Sequence, residues 1–124
     1  MTKEQKVDKI PMCEDSGLST TVIRSLNDRL RKYGLGGKVV TTPGILALSA
    51  EEQSKVFGQV RAFDAFNHNN DPYGEHDFAT VAVDELSVMF KIDYYDKEDQ
   101  FHSPDPADPI KTSRIMTVML SDEY

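Results

Sequence analysis

The chain is nearly devoid of sulfur chemistry, with one cysteine, Cys13, among 124 residues. A lone thiol closes no intrachain disulfide, and Cys13 has no histidine near it in sequence to activate it as a nucleophile. No apolar run approaches the roughly 18 residues that a bilayer span needs. The opening segment, MTKEQKVDKI, lacks the apolar stretch of a secretory leader. These absences lead to the expectation of a cytoplasmic protein with no membrane partner. The patterns HExxH, CxxC and GxSxG are missing as well. Gly34–Gly37 lacks the lysine and hydroxyl spacing of a phosphate loop.

Positive charge is scarce in the second half. The net charge is −7, and it is unevenly spread. Residues 1–61 carry ten lysines and arginines against seven acids, whereas residues 62–124 carry four against fourteen. A half-chain at −10 repels a phosphate backbone and attracts cations or basic proteins. Direct nucleic-acid binding is therefore not expected, and a basic protein partner is.

Hydrophobic residues make up 39% of the chain, with six Phe and five Tyr, enough for the core of one domain. Residues 1–18 read as a flexible arm, and 19–124 as a single α+β domain. Ser19 or Thr20 can cap a helix whose stripe is Val22, Ile23, Leu26, Leu30 and Tyr33, with Arg24, Asp28, Arg29, Arg31 and Lys32 on the other side. Gly34 stops it. A short strand, Val39–Thr42, ends at Pro43-Gly44. Ser49 and Glu52 form a capping box for a second helix from Ala50 to about Phe66. Phe78–Val83, Leu86–Tyr95 and Ile115–Leu120 read as strands, the first two joined at Asp84-Glu85. The expected architecture is two helices packed on a small, mainly antiparallel sheet that ends in a three-strand meander.

Two long polar segments hold the chemistry. Residues 67–77 contain His68, Asp71, Glu75, His76 and Asp77. Residues 96–113 contain Asp96, His102, Asp105 and Asp108, broken by Pro104, Pro106 and Pro109. Antiparallel pairing brings His76 and Asp77 to the sheet end where Asp93–Asp96 leave the neighbouring strand. Glu75, His76 and Asp77 are candidates for acid–base catalysis, and His76, Asp77 and Asp93 for divalent-metal ligation. Asp71, Glu75, Asp77, Asp93, Asp96, Asp105 and Asp108 are candidates for partner binding. The loop is no EF-hand, since Pro72 stands where the turn glycine belongs. The plainest role for Asn70-Asp71-Pro72 and its neighbours is turn building. Tyr94-Tyr95 lies among carboxylates with no basic groove, so Tyr94 is expected in the core rather than stacking on bases.

Several segments resemble an uncharacterised family of small bacterial proteins, a domain of unknown function found mostly in proteobacteria and on mobile elements. They are Asn27-Asp28-Arg29-Leu30-Arg31, Phe63-Asp64-Ala65-Phe66, Asn70–Phe78 (NDPYGEHDF), Lys91–Asp96 (KIDYYD), Ser103–Pro109 (SPDPADP) and Met116–Tyr124. The chain departs from the family pattern at Asp84-Glu85 and Phe90. The resemblance implies no activity, but it implies a mobile-element setting. The first functional reading is a non-enzymatic inhibitor or modulator of host machinery such as a defence system, anti-CRISPR-like or nucleic-acid-mimicking. The alternative is a metal-dependent hydrolase, and only that reading calls for a cofactor, a divalent metal. Helices followed by a three-strand meander also resemble ribosome-dependent toxins, whose RNA-facing surface is basic where this chain is acidic.

Overall fold

The computed structural model describes residues 13–124, with side chains described from Leu18 onward. Of the arm expected over residues 1–18, residues 1–12 lie outside the described residues. Residues 13–18 already belong to the first helix, α1, Cys13–Tyr33. The helix therefore begins upstream of the expected cap at Ser19 or Thr20.

The buried stripe of α1 is Ile23, Asn27, Leu30 and Arg31. Its spacing is helical, as expected, but half of its members are polar. Val22 and Tyr33, expected to be inward, are exposed, and Arg31, expected to be outward, is buried. After Gly34, at φ +69°, come β1, Lys38–Thr41, and a one-turn helix α2, Pro43–Leu46, with its proline in the first turn where the missing N–H costs nothing. Ile45 enters the core while Leu46 faces out.

Helix α3, Ala50–Ala62, starts at the capping box. Ser49 Oγ accepts from the Glu52 N–H, and Glu52 Oε1 accepts from the Ser49 N–H, both at 3.1 Å. The helix stops four residues short of Phe66. The carbonyls of Val60, Arg61 and Phe63, which continued helix would commit to its next turn, go instead to the guanidinium of Arg31 at 2.8–3.2 Å. Phe63 then takes an extended conformation.

The remaining strands are β2, Phe78–Val83, β3, Leu86–Tyr95, and β4, Ser113–Leu120. They form the expected antiparallel meander, with Phe78 opposite Lys91, Val83 opposite Leu86, and Tyr95 opposite Ser113. Asp84 adopts the positive φ that the tight β2–β3 turn demands. β1 joins the far side of β4 in parallel, Lys38 opposite Ile115, which completes a four-stranded mixed sheet in the order β1-β4-β3-β2. The fold is α+β. α1 and α3 cover one face, where Val88, Phe90, Ile92, Met116 and Val118 meet Leu30, Val56 and Val60. Phe90 meets Phe63 and Phe66 edge-on. No described helix is long and apolar enough to cross a membrane.

Two glycines test this packing in opposite directions. A Cβ on Gly37 would press into the backbone carbonyl of Arg114 and the Leu30 side chain, whereas one on Gly58, inside α3, would meet nothing. Gly37→Ala is expected to cost about 1–3 kcal/mol in urea unfolding. Gly58→Ala is expected to add roughly 0.5–1 kcal/mol. A neutral Gly37→Ala would contradict the close approach of β1 to β4.

Candidate functional site

The loop of residues 67–77 is anchored from beneath by a buried polar cluster. Asn27 of α1, fully buried, donates through Nδ2 to the Glu75 carbonyl at 3.0 Å and to the Tyr94 hydroxyl at 2.7 Å. Its Oδ1 accepts from Arg114 Nε at 2.7 Å. The Tyr94 hydroxyl in turn donates to Glu75 Oε1 at 2.7 Å. Arg114, 2% exposed, lies over the Tyr94 ring at 5.1 Å and donates through Nη2 to the Pro106 carbonyl. Burial is the main cause that lowers the Arg114 pKa, opposed in part by the Glu75 carboxylate. Burial also raises the Tyr94 pKa, and the bond to Glu75 adds to it, which keeps the phenol a neutral donor.

A second cluster fixes His76. Its Nδ1 faces Asp28 Oδ1 at 2.9 Å, so this nitrogen carries the proton and donates. The same carboxylate oxygen accepts from Arg31 Nη2 at 2.9 Å. The imidazole stacks on Phe66, with centroids 3.9 Å apart and planes 7° from parallel. Its backbone N–H is held by the buried Asp71 carboxylate at 3.2–3.3 Å, and its φ is +56°. The ring thus lies between Asp28 of α1 and Asp71, with its Nε2 3.7 Å from Asp71 Oδ2. The expected grouping of His76 with Asp77 and Asp93 is therefore not formed. Among the described residues, no group of three or more His, Cys, Asp or Glu side chains could hold a metal ion.

What does come together is carboxylate. The Ile92 N–H donates to the Asp77 carbonyl at 2.7 Å, which extends the β2–β3 pairing by one residue. Asp77 is half-buried beside Glu75, Asp71 and Asp93. Burial is the main cause that raises its pKa, the neighbouring charge of Glu75 comes next, and Asp71 and Asp93 act in the same sense. Asp93 also pairs with Lys91 at 3.2 Å. The juxtaposition expected from strand pairing thus holds for the acids and fails for the histidine.

The second polar segment is built by its own side chains. Asp96 Oδ1 accepts from the N–H groups of Glu98 and Gln100. Asp105 and Asp108 accept from Ala107 and Ile110. Ser103 and Thr112, both buried, bond each other at 2.8 Å. His102 is exposed and turned to its neighbour's carbonyl. The two segments are linked through the Pro106–Arg114–Asn27–Glu75 chain of hydrogen bonds and through Tyr94, whose carbonyl accepts from the Ser103 N–H and whose hydroxyl donates to Glu75. Beside the His76 cluster, His68 lines a cavity of about 360 Å³ with Arg24, Phe66, Asp71, Tyr73 and His76.

Asn27, Arg31 and Arg114 are the functional supports that hydrophobicity alone misses. Their positions nonetheless carry a signal: Asn27 and Arg31 fall in the Ile23–Leu30 stripe, and Arg114 shares the inward parity of Met116 and Val118.

The fold and site define a small α+β domain with an acid-lined loop clamped to its sheet end. Residues 41–123 match the family described as Protein of unknown function (DUF3768), and the chain belongs to that family. The match includes both polar segments and leaves α1, with Asn27, Asp28 and Arg31, outside it. No curated protein and no solved structure matches the chain.

Replacing Asn27 with Leu would leave Arg114 Nε and the Glu75 carbonyl without their buried partner. The expected loss is on the order of 3 kcal/mol, several times that of an ordinary surface change. Urea unfolding measures it, and a loss below about 1 kcal/mol would show that the cluster does not anchor the loop.

Proposed function

We propose that this chain is a non-enzymatic binding module whose acidic sheet end takes a basic segment of a partner protein. The observation that carries the reading is the half-buried Asp77 carboxylate at the sheet end, whose pKa is raised by burial first and then by the charges of Glu75, Asp71 and Asp93. Like charges held together at a protein surface raise one another's energy, and a partner's lysine or arginine placed among them relieves it. The excess of acids over residues 62–124 extends the same field and steers basic partners toward it. The mobile-element setting implied by the family resemblance supports host machinery as the partner class, defence proteins with a basic nucleic-acid groove first. The metal-dependent hydrolase alternative gains no comparable support, because among the described residues no group of three or more His, Cys, Asp or Glu side chains could hold a metal ion.

The test is affinity capture from host lysate at low salt, comparing the native chain with an Asp77→Asn/Asp93→Asn variant. A basic protein retained by the first and lost by the second, and released as salt rises, is the expected result. Capture of no basic partner would overturn the reading.

Asp77 adds a pH dependence with a definite sign. Its folded-state pKa is raised, so its contribution to stability is fully present below the unfolded Asp value and is lost as pH rises through the folded one. Asp77→Asn should therefore raise the melting temperature at neutral pH, and the gain should vanish in acid below the ordinary Asp range. Equal melting curves at neutral pH would show that neither burial nor the neighbouring charges disfavour the ionised Asp77.

A further inference from the structure

A different surface lies at the β1 edge of the sheet. Leu30, Val60 and Met116 floor a groove of about 290 Å³ between α1, α3 and β1, with Val39 as one wall. It adjoins a more open depression of about 400 Å³, and Lys32 and Arg61 border both. Asp64 sits at the far side of the second depression. Among the described residues, neither Lys32 nor Arg61 makes an ion pair. Arg31, buried in the same groove lining, has an Nε–H with no acceptor there. This region is thus apolar in its depth, cationic at its rim, and short of one hydrogen-bond acceptor.

The strand beside it is open. β1 is the end strand of the sheet, and among the described residues no strand pairs with its outer edge. Val39 and Val40 are 41% and 42% exposed on its two faces. An edge strand of this kind is a template for an added strand. In an extended peptide, side chains two residues apart point the same way and stand about 7 Å apart. One such side chain would enter the groove while its same-face neighbours reach the rim. The charge of that rim selects carboxylates.

We infer that the groove between α1, α3 and the β1 edge is a docking site for an extended segment of a partner protein that carries an apolar side chain flanked by carboxylates. The surface is separate from the acidic sheet end, and the inference does not rest on the function proposed for that end.

The experiment uses the full chain and a short fluorescein-labelled peptide with a central leucine, glutamates two positions to either side and threonines elsewhere. A second peptide carries lysines in place of the glutamates. Fluorescence anisotropy should show saturable, salt-sensitive binding of the first peptide, and binding of the second about tenfold weaker or worse. A Lys32→Glu/Arg61→Glu variant should lose about tenfold in affinity for the glutamate peptide with unchanged melting. Asp77→Asn/Asp93→Asn should bind it like the native chain, which separates this surface from the acidic one. Amide shifts on binding should map to Leu30 and Val39. Absence of saturable binding, equal affinity for both peptides, or shifts confined to the acidic loop would each overturn the inference.

Discussion

The constraint on which the molecule turns is the burial of two guanidinium groups in a domain of modest size. An arginine removed from water is tolerable only if its N–H groups find acceptors and its charge finds a counterweight. Arg114 meets that condition through Asn27, the Pro106 carbonyl and the ring of Tyr94. Arg31 meets it for all but its Nε–H, through Asp28, three carbonyls at the end of α3, and the rings of Phe66 and Phe90 at 5.3 and 5.6 Å. Each arginine thus terminates or anchors an element that the backbone alone would leave loose. Arg31 sets where α3 stops. Arg114 ties the start of β4 to α1 and to the proline-rich segment.

The acidic loop inherits its shape from these two anchors. Asn27 and Tyr94 hold Glu75 from below, and Asp28, already fixed by Arg31, holds the ring of His76. With the imidazole drawn toward α1 and its N–H bound to Asp71, the chain must turn sharply at His76, and Asp77 is delivered to the sheet end beside Asp93. The pairing of His76 with Asp28 and Asp71, rather than with Asp77 and Asp93, is therefore a consequence of how the loop is anchored.

Much of this was legible in the residues. Alternation in Leu86–Tyr95 and the turn at Asp84-Glu85 located the hairpin, and pairing alone placed Asp77 and Asp93 at one end. The Ser49–Glu52 pair located the start of α3 to the residue. What escaped was governed by contacts between residues distant in sequence. The α1 stripe reads as Val22, Ile23, Leu26, Leu30 and Tyr33 when only apolar residues count. Ile23 and Leu30 are buried, but Asn27 and Arg31 join them in place of Val22 and Tyr33, because their partners on the Glu75 loop, β3, β4 and α3 lie on that side. The end of α3 is set by Arg31, which is 29 residues from Val60. The parallel pairing of β1 with β4 has no local signature, since its two strands are joined through the whole domain.

The same arrangement explains why charge is partitioned across the molecule. Burying Arg31 and Arg114 consumes positive charge inside, while the acids that serve the loops remain at or near the surface. Asp96, Asp105 and Asp108 cap their own turns with one oxygen and still present a full negative charge to solvent. Turn building and partner attraction are therefore not competing roles for these residues: an aspartate that accepts an N–H is held in place, and a charge held in place makes a more selective surface than a mobile one. Asp77 differs from them because it is half-buried, and burial first, then the charge of Glu75, raises its pKa. At neutral pH the folded chain therefore carries the cost of ionising Asp77 in that setting.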